Sequence, residues 1–173
     1  MSKKPRFVAF STQKGGAGKT TLTVLVASLL HYVKGKSVAI IDCDYPQHSI
    51  VDMRERDLKM ALDDEYYKQM AYEQFTRLSK KAYPVVESSP KEAVADAEYL
   101  LPQDEFDYIF FDLPGTMNNE DLIHTLARMD YIIAPISADR VVMESTLDYV
   151  VTVRDHIIDS GKSNIKGLYL LWN

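Results

Sequence analysis

The stretch STQKGGAGKTTL, Ser11 to Leu22, decides the fold. It follows the apolar run Arg6 to Phe10, which predicts a short buried strand, and it leads into Thr20 to Val33, where apolar residues recur with helical spacing. These apolar residues are Leu22, Leu25, Val26, Leu29 and Leu30. Glycines between a strand and a helix let successive N–H groups face inward as an anion nest, and the helix adds its positive N-terminal end. The stretch therefore predicts a phosphate-binding loop.

The loop differs from the ordinary phosphate-loop pattern G-x-x-x-x-G-K-[ST] at its first position. Gln13 stands where the first glycine is expected, and a second lysine, Lys14, follows it. Lys19 is expected to reach the β and γ phosphates, and the Thr20 hydroxyl to ligate Mg²⁺. The predicted nucleotide-binding residues of the loop are Gly15, Gly16, Ala17, Gly18, Lys19, Thr20 and Thr21.

The rest of the chain alternates apolar strands with helical patterns. Further strands are predicted at Lys36 to Ile41, Tyr108 to Phe111, Tyr131 to Ile136 and Ile165 to Leu170, with Val85 and Val86 as a short strand or a loop. One or two helices are predicted within Ile50 to Lys81. A further helix is predicted to have Ser88 or Ser89 as its N-cap and Pro90 as its first residue, and to end at Leu101. The last two helices are predicted over Asn119 to Arg128 and over Glu144 to Asp159. This alternation predicts an α/β fold with a mostly parallel sheet and helices on both faces.

Aspartates follow two of these strands, and ligands of open α/β sheets bind at the carboxyl ends of strands. Asp42 and Asp44 end the second strand and share a face because they are two residues apart. Asp112 ends the Tyr108 strand and is followed by Leu-Pro-Gly, in which Gly115 could offer its N–H to a γ-phosphate. An aspartate at a strand end also occurs as a helix cap or turn former. A GTPase would be expected to show an Asn-Lys-x-Asp segment, which the sequence lacks.

Composition narrows the class of protein. The 173 residues, 46% of them hydrophobic and 26% charged, predict one globular domain. No apolar run is long enough for a membrane span. The single cysteine, Cys43, excludes an internal disulfide and fits a cytoplasmic location, and the net charge of -5 gives no overall footprint for nucleic acid. The histidines His31, His48, His124 and His156 fall in separate predicted elements, which favours surface or helix-end roles over a metal cluster.

Five segments together resemble the ParA/MinD family of ATPases. KGGAGKT resembles the deviant Walker A motif of that family, IIDCDYPQHS its strand ending in Asp-x-Asp-Pro-Gln, and YIFFDLPG its Walker B strand. IIAPIS and LYLLWN resemble two later strands, the second ending in the asparagine that contacts adenine, here Asn173. This chain differs in having Tyr45 between the second aspartate and the proline.

The resemblance implies a single P-loop ATPase domain over residues 1–173 that uses ATP and Mg²⁺. It implies that Lys14 crosses the interface of a nucleotide-dependent homodimer to reach the partner's phosphates. Asp44 would then position the attacking water, Asp42 would organise the magnesium shell, and Asp112 would hold Mg²⁺ through a water. Relatives continue beyond the adenine-contact asparagine, so the chain is expected to lack their C-terminal part.

The function implied is that of a ParA-like ATPase, which hydrolyses ATP to ADP and phosphate as a dimerisation switch in the partitioning of plasmid, chromosomal or mobile-element DNA. DNA and a hydrolysis-stimulating protein are the partners this implies. A MinD-like membrane-positioning ATPase and a nucleotide-gated interaction module with little hydrolysis remain alternatives. An iron-protein-like reductase is disfavoured, because a cluster bridging two subunits would need two cysteines per chain.

Overall fold

A computed structural model describes residues 4–115 and 120–173 of the chain. Within these residues the strands are β1 (Arg6–Phe10), β2 (Val38–Asp42), β3 (Val85–Glu87), β4 (Tyr108–Asp112), β5 (Tyr131–Ile136) and β6 (Gly167–Trp172). The helices are α1 (Lys19–Ser28), α2 (Ser49–Asp63), α3 (Glu65–Leu78), α4 (Ala93–Leu100), α5 (Glu120–Ala127) and α6 (Arg140–Val153). Single π-helical turns extend α1 over Leu29–Val33 and α6 over Arg154–Ile158.

The six strands form one parallel sheet in the order β3-β2-β4-β1-β5-β6. Alternate residues of the central strands enter two hydrophobic cores, one on each face: Ala39 and Ile41 of β2 pack on one side and Val38 and Ile40 on the other. Strands buried on both faces read as continuous apolar runs, which is why the sequence predicted them well. The predicted α/β class is confirmed.

The register of the sheet sets the position of the predicted site. Asp42 of β2 is paired with Asp112 of β4, and Asp112 is in turn paired with Phe10 of β1, directly before the glycine-rich loop. The two aspartates and the loop therefore lie side by side at the carboxyl end of the sheet, where ligands of parallel α/β folds bind.

Two predicted helix starts were wrong, for local reasons. The helix expected from Pro90 begins at Ala93, because the N–H groups of Glu92 and Ala93 both bond to the carbonyl of Ser89 and close a separate turn first. The helix expected from Glu144 begins at Arg140, since the Asp139 carboxylate accepts the first free N–H groups. Asn119, the expected start of α5, lies outside the described residues.

The predicted apolar face of α1 is only partly used. Leu25 and Leu29 are 59% and 47% exposed, whereas Thr23 and Ala27, on the opposite side of the helix, are fully buried. Leu22, Val26 and Leu30 pack against the core beside these small side chains, and Leu25 and Leu29 are left outside. Apolar periodicity located the helix, and three of its five apolar residues face the core.

Candidate functional site

The glycine-rich loop takes the backbone conformation that a phosphate loop needs. Gly16 and Gly18 have φ angles of 77° and 88°, in the left-handed region that glycine adopts without strain. Gly18 is the N-cap of α1, so the first helical N–H groups open directly onto the loop. A side chain at Gly18 would also meet the Asn173 amide at 2.7 Å.

The two lysines of the loop have different environments. Lys19 is 9% exposed, and its ammonium nitrogen lies 3.4 Å from the place where a Cβ on Gly115 would be. That hypothetical Cβ would be only 3.1 Å from the main-chain oxygen of Gln13, so the segment after β4 contacts the glycine-rich loop through Gly115. Lys14, in contrast, is exposed on the outer side of the loop.

Thr20 and Asp112 form the polar centre of the site. The Thr20 hydroxyl donates to Asp112 Oδ2 at 2.7 Å, while Asp112 Oδ1 is buried without a hydrogen-bond partner among the described residues. Burial raises the pKa of Asp112 to about 7, and the hydrogen bond from Thr20 and the positive charge of Lys19 counteract this only in part. A buried carboxylate with a free oxygen beside a threonine hydroxyl is a place for a cation.

This arrangement fits Mg²⁺ of the kind held by one or two protein oxygens together with substrate phosphates and waters. No group of three or more His, Cys, Asp or Glu side chains that could hold a metal alone occurs in the described part of the chain. Thr20 and Asp112 would therefore need the phosphates to complete a magnesium shell.

Asp42 is fully buried and is already hydrogen-bonded to the backbone. Its Oδ2 accepts the N–H groups of Ile50 and Val51, at 2.9 and 3.1 Å, in the first turn of α2. Asp42 thus caps the first turn of α2, which is the alternative role that sequence analysis gave for an aspartate at the end of a strand. Its Oδ1 accepts only a long 3.4 Å bond from the N–H of Asp44, which leaves capacity toward the site.

Asp44 follows in the loop between β2 and α2. Burial is the main cause that raises its pKa, Lys19 lowers it, and the charge of Asp42 raises it further. The charge of Lys19 therefore acts on the predicted water-positioning carboxylate. Tyr45, the residue additional to the family pattern, is 71% exposed.

Asn173 also lies at the glycine-rich loop. Its main-chain N–H donates to the carbonyl of Ile136, and its side-chain amide donates to the carbonyl of Ala17 at 3.2 Å. The structure therefore brings the predicted base-contacting residue beside the predicted phosphate loop.

Sequence analysis missed a buried polar group behind the loop. Tyr149 Oη donates to Ser11 Oγ at 2.7 Å, and the hydroxyls of Thr12 and Thr146 lie 3.1 Å apart. These bonds fasten the residues after β1 to α6. Serine and threonine after a strand are too common for the sequence to indicate this role.

Over the residues described, no helix is both long enough and apolar enough to cross a membrane.

Known proteins resemble the chain in both sequence and fold. The family of the ATPase MipZ matches residues 6–157. An uncharacterised protein of Borreliella burgdorferi is 36% identical over 85 residues, which is 48% of this chain and 34% of that protein. The matched segment thus spans about a third of that relative's length.

Two solved structures share the fold. A plasmid partition protein from Borrelia burgdorferi bound to AMPPNP superposes with a TM-score of 0.67 at 21% identity, over 98% of this chain and 76% of that one. The pNOB8 ParA bound to nonspecific DNA gives 0.59 at 19% identity, over 89% and 62%. The family match covers most of the chain, and these folds agree with it. The chain therefore belongs to the MipZ family of ATPases, within the ParA/MinD group.

Proposed function

We propose that the chain is a ParA-like ATPase in which ATP binding drives dimerisation and Mg²⁺-dependent hydrolysis to ADP and phosphate reverses it. The observation that carries this proposal is the Thr20–Asp112 hydrogen bond with the unpartnered Asp112 Oδ1, next to Lys19 and a glycine-rich loop at a helix N-terminus. A buried carboxylate in this position costs stability unless a cation joins it, so the site is suited to a metal-nucleotide complex.

Each residue of the site has a distinct part in this proposal. The loop N–H groups and Lys19 bind the phosphates, and Asn173, beside the loop, contacts the base. Thr20, Asp112 and Asp42 would hold Mg²⁺, which when bound neutralises charge on the phosphate oxygens. Asp44, whose carboxylate is influenced by the charge of Lys19, would orient the attacking water. Phosphoryl transfer needs mainly such positioning and charge stabilisation.

Lys14 is the residue that would make nucleotide binding depend on a second copy of the chain. Lys19 is almost fully buried, whereas Lys14 is exposed on the same loop. A cation in this place can neutralise phosphates held by another subunit, which couples dimer formation to the nucleotide. We propose that Lys14 acts in this way across the dimer interface.

The proposed process is DNA partitioning, with DNA and a hydrolysis-stimulating protein as partners. The support comes from relatives: a plasmid partition protein and a ParA bound to nonspecific DNA have this fold. The net charge of -5 gives the whole chain no general attraction to DNA, so binding would need a local surface created in the dimer.

The proposal is tested by phosphate release with ATP and with GTP, with and without DNA, and by light scattering of the dimer. The variants are Asp44→Ala and Lys14→Ala, and Lys34→Ala, an exposed lysine at the other end of α1, is the matched control. We expect Asp44→Ala to bind ATP but to release phosphate at least 100-fold more slowly, and Lys14→Ala to lose the ATP-dependent dimer.

Two results would count against the proposal. Wild-type hydrolysis by Asp44→Ala would exclude the role of Asp44, and an unchanged dimer in Lys14→Ala would exclude the role of Lys14 across the interface. If the wild type binds ATP and dimerises without releasing phosphate, the chain is a nucleotide-gated interaction module instead.

A further inference from the structure

The side chain of His48 is held between the ends of two strands. Its Nδ1 lies 3.2 Å from the main-chain oxygen of Asp42 at the end of β2, and its Nε2 lies 3.6 Å from a carboxylate oxygen of Glu87 at the end of β3. Only 12% of the His48 side chain is exposed, against 64% of Glu87. One ring nitrogen is within hydrogen-bond distance of a carbonyl and the other is within ion-pair distance of a carboxylate, so contacts on two sides favour this ring orientation.

The backbone of His48 is bonded to Asp44. The N–H groups of Gln47 and His48 both donate to the carbonyl of Asp44, at 2.8 and 3.0 Å. His48 itself has φ 38° and ψ 48°, a left-handed conformation that histidine adopts more readily than most residues. Residues 44–48 therefore form a closed turn in which His48 is bonded directly to Asp44.

Main-chain bonds hold the two ends of the turn, from the N–H of Tyr45 to the carbonyl of Cys43 and from the N–H of Asp52 to the carbonyl of His48, but most of its side chains do not pack on the core. Tyr45, Pro46 and Gln47 are exposed, and the ring of Tyr45 contacts the edge of the His48 ring with centroids 5.7 Å apart. His48 is thus the side chain that holds residues 45–48 against the body of the domain. The main-chain oxygen of Asp42 also accepts the N–H of Ser88, which ties the ends of β2 and β3 together at the same point.

We propose that His48 is a positioning residue, which holds the turn that carries Asp44 in the place needed for hydrolysis and does not itself bind ATP. This inference rests on the proposed ATPase function. Loss of the His48 side chain is therefore expected to lower the rate of hydrolysis and to leave the affinity for ATP unchanged. The loop and Lys19, which bind the phosphates, lie outside the turn, whereas the carboxylate that orients water lies within it.

The size of the expected effect follows from how strongly hydrolysis depends on geometry. A displacement of about 1 Å in a catalytic group can cost roughly 100-fold in rate, so a loosened but intact turn is expected to cost about 10-fold or more. The affinity for ATP is expected to stay within about twofold, because none of its phosphate-binding groups is removed.

The test uses His48→Asn, which tolerates the left-handed backbone but is too short to bridge Asp42 and Glu87. His156→Asn is the matched control, because His156 is exposed at the end of α6, and Glu87→Gln removes the carboxylate charge without touching the turn. For each variant, kcat for phosphate release, the Kd for ATP and hydrogen exchange of the amides at residues 47 and 48 are measured below the melting temperature.

We expect His48→Asn to lower kcat about 10-fold or more with Kd unchanged and to speed exchange at residues 47 and 48 by about 10-fold, while His156→Asn changes neither. Glu87→Gln, in an exposed residue, is expected to lower kcat two- to threefold and serves alone if His48→Asn does not fold. The inference would be overturned if kcat and amide exchange were unchanged in His48→Asn, or in Glu87→Gln if only that variant folds. It would also be overturned if the substitution weakened ATP binding and left kcat unchanged. If the wild type releases no phosphate, the proposed function fails separately, and amide exchange alone decides the role of His48.

Discussion

The ionisation of Asp112 leads to a measurable dependence of stability on pH. Burial raises the pKa of this carboxyl from an ordinary value of 3.8 to about 7. The native state therefore binds a proton at Asp112 more tightly than the unfolded state does, so the contribution of Asp112 to stability is fully present below pH 3.8 and is lost as the pH rises through 7. The full loss corresponds to about 4 kcal/mol, of which about 2.5 kcal/mol falls between pH 5 and 8.

The substitution Asp112→Asn removes this ionisation while its amide oxygen can still accept the hydroxyl of Thr20. The buried amide NH₂ has its own cost of about 1–3 kcal/mol, which does not depend on pH. The informative quantity is therefore the difference in the free energy of unfolding between the two proteins, and how much this difference changes from pH 5 to pH 8. We expect urea denaturation without nucleotide to show the wild type losing about 2.5 kcal/mol more than Asp112→Asn over this range.

The titration of groups that do not interact with Asp112 cancels in this comparison, because those groups are present in both proteins. Parallel stability curves for the wild type and Asp112→Asn between pH 5 and 8 would refute the reasoning, since they would mean that Asp112 ionises in the folded state at no extra cost. Mg²⁺ with ATP is expected to stabilise the wild type at pH 8 by more than it stabilises Asp112→Asn, because only the wild type has an Asp112 carboxylate for the cation to neutralise.

Three further substitutions test separate contacts of the site. Gly115→Ala places a Cβ 3.1 Å from the main-chain oxygen of Gln13, so calorimetry is expected to show ATP binding weakened about 10-fold, and unchanged affinity would contradict a close contact there. Tyr149→Phe deletes the hydroxyl bonded to Ser11 at 2.7 Å, and urea denaturation is expected to show a loss of about 1–2 kcal/mol, with no loss indicating that water replaces the bond. Asn173→Ala is expected to weaken binding of ATP but not of inorganic triphosphate, and equal weakening of both would assign Asn173 to the phosphate loop and not to the base.

The sequence predicted the sheet and the site because both depend on local signals. β5 was predicted with the bounds it has in the structure, since its apolar run is bounded by polar residues on both sides. Asp42 and Asp112 were placed together because parallel strands align their carboxyl ends, and the register confirms that they are paired.

What the sequence could not predict depends on contacts between distant segments. The exposure of Leu25 arises because Thr23 and Ala27 pack on the sheet instead, and helical periodicity alone cannot choose between two sides that both contain apolar residues. The role of His48 depends on Glu87, which is 39 residues away in sequence and is brought beside it only by the pairing of β2 with β3.

The two lysines of the glycine-rich loop cannot be distinguished by residue type, but the structure gives them different environments. Both are cations five positions apart, but Lys19 is enclosed by the segment after β4 through Gly115, whereas Lys14 is exposed. An enclosed ammonium beside Asp44 and Asp112 already balances part of the negative charge of its own site. Lys14 is accessible to a molecule that approaches the loop from outside, and the proposal is that its charge acts on such a molecule. For a loop that binds triphosphate, a second copy carrying its own nucleotide is the partner whose charge matches.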